Sequence, residues 1–305
     1  MWKIITILLI LLTIFFSYTT LKKSGNAPEN AGDVATSAEE FSMNFMADFK
    51  SFTGNTGDLA KYSEPIVSEK DLGELSPLYG KVRLSDNQWG ANAVDANEEY
   101  VSIRALTTNT ESINITGWSL QSMITGARVY IPDGVGNVVM HNVNPTYEVT
   151  VDPGQEVIIS TVASPIGVSF QTNMCTGYLG QFQRFEPELD RSCPNPADII
   201  QPTISNIQMY GSECMHLAST LQRCDYLTTS AAQSSGITVT QACLTHLQTV
   251  LTYTTCSAQY SSSTEYKNGS KWRIFLSQPN ALWRSEYEVI RLLDETGRTV
   301  DVYTY

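Results

Sequence analysis

Basic residues are scarce in this chain: 19 Lys and Arg stand against 31 Asp and Glu, for a formal charge of −12. No basic block occurs beyond Lys22-Lys23. Phosphate binding needs concentrated Lys and Arg, so this balance argues against nucleic acid or an anionic membrane surface as the main partner. The chain also lacks GxGxxG, P-loop, HExxH, GxSxG and CxxC patterns. Those patterns place backbone amides around phosphate, histidines on zinc, or a nucleophile on a strained turn. Histidine is limited to His141, His216 and His246, which leaves a Ser-His-Asp arrangement few candidates for its base. His141 lies in a Gly/Asn-rich stretch with no acidic neighbour in sequence, as a solvated loop histidine would. No catalytic residue, metal or small-molecule cofactor is expected.

Cysteine is missing from the first 174 residues, and all six cysteines fall in the second half: Cys175, Cys193, Cys214, Cys224, Cys243 and Cys256. An even count reads as a disulfide framework when the chain is exported. The export signal is at the start. MWKIITILLILLTIFFSYTTLKK puts Lys3 before an apolar run, and residues 2–20 approach the roughly 20 needed to cross a bilayer as a helix. The run ends in Phe15-Phe16-Ser17-Tyr18-Thr19-Thr20 rather than in small residues resembling a cleavage site. An uncleaved single-pass anchor over 1–23 is favoured over a removed signal, with the folded part extracytoplasmic.

Residues 24–75 form an acidic, Ser/Gly/Asn-rich tether. Within it Phe41, Phe45 and Phe49 recur at helical spacing and predict a short amphipathic helix. From about residue 76 the texture is short β patterns cut by turns. Val101, Ile103 and Ala105 alternate with Ser102 and Arg104, and Val149 and Val151 are joined to Val157 and Ile159 through Asp152-Pro153-Gly154. Between 196 and 270 the alternation fades, and helices are predicted near 213–222 and 240–252, each bracketed by cysteines. After Lys271 the β pattern returns in KWRIFLS and in a closing hairpin that turns at Glu295-Thr296-Gly297. The fold class is therefore mainly β: one β-sandwich over 76–195 and 271–305, with 196–270 as a cysteine-bracketed helical insertion. Two antiparallel helices would bring Cys214 to Cys256 and Cys224 to Cys243, leaving Cys175 for Cys193.

A zinc site is the competing reading of Cys214-x-His216 with Cys243-x-x-His246. It strands Cys224 and Cys256, and an oxidising compartment favours disulfides. Acidic turns at Asp133-Gly134 and Asp294-Glu295 lack the dense carboxylates of a calcium loop. Two glycosylation sequons occur, Asn114-Ile115-Thr116 and Asn268-Gly269-Ser270, the first inside an expected strand.

In INITGWSL, residues 113–120, the alternation breaks at Gly117. Ile113 and Ile115 fall on one parity, Trp118 and Leu120 on the other. A bulge at Gly117 would return all four to one core and make Trp118 a core residue rather than a binding platform.

EYVSIRAL, INITGWSL, RVYIPDG, VDPGQEVIIST, SPIGVSFQTNMCTGYL and VIRLLDETGRTVDVYTY together resemble a lamin-tail domain. The resemblance covers roughly 76–195 and 271–305, and Gly117-Trp118 is its most specific piece. It implies an immunoglobulin-like β-sandwich. The anchor, the CTGYL stretch and the insertion are similar to those of bacterial membrane-anchored proteins that carry this domain. The heptad rod and prenylation box of nuclear lamins are missing here, so filament roles do not carry over. The resemblance implies a non-catalytic envelope module that binds an extracytoplasmic protein, glycan or DNA, or fixes envelope structure. The alternative is a secreted hydrolase of nuclease or phosphatase type, or an accessory domain of one.

Overall fold

The structure, a computed structural model, describes residues 67–68, 70–85 and 90–305. The expected anchor over 1–23 and the Phe41–Phe49 helix lie outside the described residues. Among the described residues, no helix is long and apolar enough to cross a membrane.

Two sheets share one core. The first runs in the order β1(Val82–Leu84), β2(Tyr100–Ala105), β7(Glu156–Ser160), β9(Trp272–Phe275), β8(Phe170–Gln171). The second runs β11(Thr299–Thr304), β10(Val289–Leu293), β4(Ser119–Ser122), β5(Arg128–Tyr130). A short pair, β3(Ile113–Asn114) with β6(Thr150–Val151), lies beside them. The alternation read from sequence is the reason for the shared core. Val101, Ile103, Val157, Ile159 and Ile274 from one sheet meet Leu120, Ile290 and Leu292 from the other. The sheets also meet along β1 and β11, where the Leu84 N–H donates to Asp301 Oδ2 at 2.7 Å and the Gly80 N–H to the Val300 carbonyl at 3.1 Å. Leu72 to Ser76 run alongside β11, with Leu75 bridged to Thr299.

The parity break at Gly117 is a turn, which corrects the expected bulge. Trp118 N–H closes on the Ile115 carbonyl at 3.1 Å, and Gly117 takes φ +79° at the third position. Only glycine adopts that backbone at no cost. The turn hands the chain from β3, paired with β6, to β4, paired with β5 and β10. Ile115 and Trp118 are both buried in the shared core as a result.

A second apolar cluster belongs to the helical part and holds all six cysteines. The two expected helices are present, but within a set of six short ones rather than a simple hairpin: α1(Pro196–Ile199), α2(Ile204–Tyr210), α3(Ser212–Thr220), α4(Thr229–Ser234), α5(Gln241–Val250) and α6(Tyr253–Tyr260), the expected two being α3 and α5. Threonine punctuation explains the fragmentation. Thr203, Thr228, Thr240 and Thr252 each cap a new helix by accepting a backbone N–H three residues on.

The disulfides are Cys175–Cys256, Cys193–Cys224 and Cys214–Cys243, so all three expected pairings are corrected. Cys214 and Cys243 both sit in the first turns of their helices, so α3 and α5 are stapled start to start, not start to end. Cys224 lies past the end of α3 with φ +66°, and Cys256 belongs to the separate helix α6.

Candidate functional site

The six disulfide cysteines are buried, and so is Trp118. These sequence-derived sites are architecture. Two clefts lie elsewhere, on either side of residues 181–191, a strap between the first sheet and the helices.

The strap begins at a 3-10 helix, Thr176–Gln181, directly after Cys175. Asn173 starts it, accepting the Cys175 N–H at 2.9 Å, while its own N–H donates to Thr176 Oγ1 at 2.7 Å. Gly177 is required for close approach. A Cβ there would stand 2.3 Å from Cys224 Sγ and 2.8 Å from the Asp190 carbonyl oxygen. The strap therefore lies directly against the Cys193–Cys224 bridge.

Three contacts fasten the strap to the sheet. Ser160 Oγ donates to the Glu186 carbonyl at 3.0 Å, Arg273 Nη2 to the Pro187 carbonyl at 2.6 Å, and Lys271 Nζ pairs with Asp190 at 3.2 Å. Arg273 projects from β9 and is 2 % exposed. Burial pulls its guanidinium down to about 10, against the opposing pull of Asp190, Glu186, Tyr100 and Glu156, so it stays charged at neutral pH. Beneath the strap, the Phe185 ring packs edge-on to Phe170 and Phe275 at 6.0 and 6.3 Å.

On its other side the strap is tied to residues 222–226. Gln181 Nε2 donates to the carbonyls of Cys224, Asp225 and Leu251 at 3.3, 3.2 and 3.0 Å. Arg191 bonds Gln222 Oε1 at 2.9 Å and pairs with Asp225 at 3.2 Å. These ties, with the disulfide, hold open a cleft of about 590 Å³. Phe182 from the strap meets Tyr226 from the opposite wall, edge to face at 4.8 Å. Phe182 is 69 % exposed there, an unusual position for a large apolar ring. Arg184 crowns the ridge between the clefts, 3.3 Å from Glu98 and 3.7 Å from Glu186. The second cleft, about 520 Å³, lies beyond that ridge and includes Asp95, Asn97 and Gln278.

Phe182, Arg184, Arg191 and Tyr226 belong to no recognisable motif in the sequence. The available signal was the run GQFQRFEPELDR between Cys175 and Cys193, where aromatic and charged residues interleave without strand or helix period. Its opposite wall, Asp225-Tyr226, is too remote in sequence to be associated with it.

The Cys₂His₂ zinc alternative does not survive the geometry. Cys214 and Cys243 sulfurs are bonded to each other, and His246 stacks on Tyr210 at 4.4 Å with Nδ1 3.2 Å from its hydroxyl. Burial lowers the His246 pKa. Among the described residues, no group of three or more His, Cys, Asp or Glu is placed to hold a metal. No family model, no curated protein and no solved structure matches this chain.

Proposed function

We propose that this chain is a non-catalytic, membrane-anchored extracytoplasmic module of the lamin-tail type, which binds a cell-envelope component in the Phe182–Tyr226 cleft. The cleft carries the reading: a disulfide, an ion pair and a triply bonded glutamine hold open a concavity with an exposed aromatic ring at its mouth. Pre-formed walls reduce the ordering cost of binding. Three disulfides point to an oxidising compartment, in keeping with an export segment at the start of the chain. The stretches that resemble a lamin-tail domain coincide with β2, the β3–β4 turn, β7 and the β10–β11 hairpin, which is the support for the immunoglobulin-like assignment.

The test is co-sedimentation of the full, detergent-solubilised chain with isolated cell envelopes. Binding by the parent chain and its loss in Phe182→Ala, with unchanged melting, supports the module. Turnover of nuclease or phosphatase substrates by the same preparation, with or without divalent metal, overturns it in favour of a hydrolase.

A further inference from the structure

The cleft's chemistry narrows the ligand class. Its lining carries two guanidinium groups, Arg184 and Arg191, against two carboxylates, Glu188 and Asp225. Both guanidinium groups are already paired, Arg191 with Asp225 and Arg184 with Glu98 and Glu186 at the rim, in a chain of formal charge −12. An anionic ligand therefore finds no unpaired cation there and meets the field of an acidic chain. A neutral ligand fits this pairing.

Two further features describe what that neutral ligand must offer. Phe182 and Tyr226 present ring surface at the mouth, and covering it removes exposed apolar area from water. Beside the rings, the Arg191–Asp225 pair sets a fixed donor next to a fixed acceptor, 3.2 Å apart. A hydroxyl both donates and accepts, so neighbouring hydroxyls can satisfy both members together. A molecule with an apolar C–H face and a rim of hydroxyls meets both requirements. A volume of about 590 Å³ is within the usual range for small-ligand clefts, which is ~300–1,000 Å³.

We infer that the Phe182–Tyr226 cleft binds a neutral saccharide, with a sugar ring laid against Phe182 and its hydroxyls on Arg191 and Asp225; this rests on the binding-module reading above. The experiment is calorimetric titration of the full chain, in a detergent without a sugar headgroup, with chitohexaose and with cellohexaose. Saturable binding to at least one is expected. Phe182→Ala should weaken it about tenfold, the scale of one aromatic contact, while Phe182→Trp retains it. Phe182 is exposed, so neither change should lower the melting temperature, which is measured alongside. Arg191→Lys should also weaken binding, since a point charge replaces the planar fork that holds donor and acceptor in register.

Failure of both saccharides to bind, or binding indifferent to Phe182→Ala, overturns the inference. Envelope capture that persists without saccharide binding and disappears after protease treatment of the envelopes assigns the cleft to a protein ligand; the module then stands and the saccharide falls. Loss of both envelope capture and saccharide binding in the parent chain overturns both.

Discussion

Glu99 and Glu288 divide one turn between them. The Glu99 carboxylate accepts the N–H groups of Leu282 and Trp283 at 2.7 and 3.0 Å, and Glu288 accepts that of Arg284 at 3.0 Å. Both side chains are buried, and three consecutive amides take carboxylates in place of carbonyl partners. The arrangement seats Trp283 in the core shared by the two sheets.

This arrangement gives Glu99 a definite pH signature. Burial pushes its carboxyl up, opposed by hydrogen bonds from Thr161, Leu282 and Trp283, and the charge on Glu288 pushes it the same way as burial. A folded value above the ordinary 4.5 means the fold prefers the protonated acid. Its contribution is complete below pH 4.5 and is lost as pH rises through the raised value. Glu99→Gln should remove that dependence and still destabilise by about 1–3 kcal/mol, because its amide brings N–H donors to a site that needs acceptors. Urea midpoints across the acid range check both effects; a variant with the parent's pH profile contradicts the assignment.

Asp294 governs the opposite limb. Burial raises its pKa, but hydrogen bonds outweigh this: its carboxylate accepts the Thr296 hydroxyl and N–H at 2.7 and 2.9 Å and the Arg298 N–H at 2.9 Å. The carboxyl is held well below the usual aspartate range. Its stabilisation is present above the ordinary 3.8 and is lost as pH falls below it. Asp294→Ala should cost about 2–4 kcal/mol by freeing several donors in the β10–β11 turn, and should flatten the acid side of the stability curve. The same urea series, extended to lower pH, reads this out.

Trp118→Ala should destabilise by about 3–5 kcal/mol, as expected for emptying a buried aromatic site. Trp118 is 2 % exposed and does not line the Phe182–Tyr226 cleft. Ligand or envelope binding should therefore survive wherever the variant is folded. Parallel thermal melts and co-sedimentation make the comparison, and lost binding with intact melting contradicts a core role.

Non-reducing peptide mapping should recover Cys175–Cys256, Cys193–Cys224 and Cys214–Cys243. The loop-entropy model ranks the first as most stabilising, about 4–5 kcal/mol for its 81-residue separation against roughly 3.5–4 for separations of 31 and 29. Double alanine replacement at Cys175 and Cys256 should therefore lower the melting temperature most.

Strands were legible where apolar and polar residues alternate along the chain. Val101, Ile103 and Ala105 fill one face of β2, while the other carries exposed Arg104 and a buried but polar Ser102, and Asp152-Pro153-Gly154 carries its turn chemistry openly. Trp118 was harder: a parity break is compatible with a bulge or a turn, and only pairing partners distinguish them. The disulfide pattern was hidden because it depends on where helices stop. Thr252 starts a new helix at a place where apolar periodicity alone gives no reason to break. The cleft was least visible, since Phe182 and Tyr226 meet through a fold that brings distant loops together, and neither residue has a distinctive motif around it.

The position of β9 and β10 carries a consequence for the order of events in folding. β9 lies between β7 and β8, and β10 between β11 and β4, so each sheet takes an interior strand from residues 272–305. The parallel pairing of Val157 with Trp272 spans more than a hundred residues of chain. Non-local pairings of that kind form late, because the loop between them must first be closed. Until those strands emerge, each sheet lacks an interior strand, and Trp118 has no completed core to enter. A chain synthesised from its N-terminus therefore cannot complete either sheet before residues 272–305 have been made.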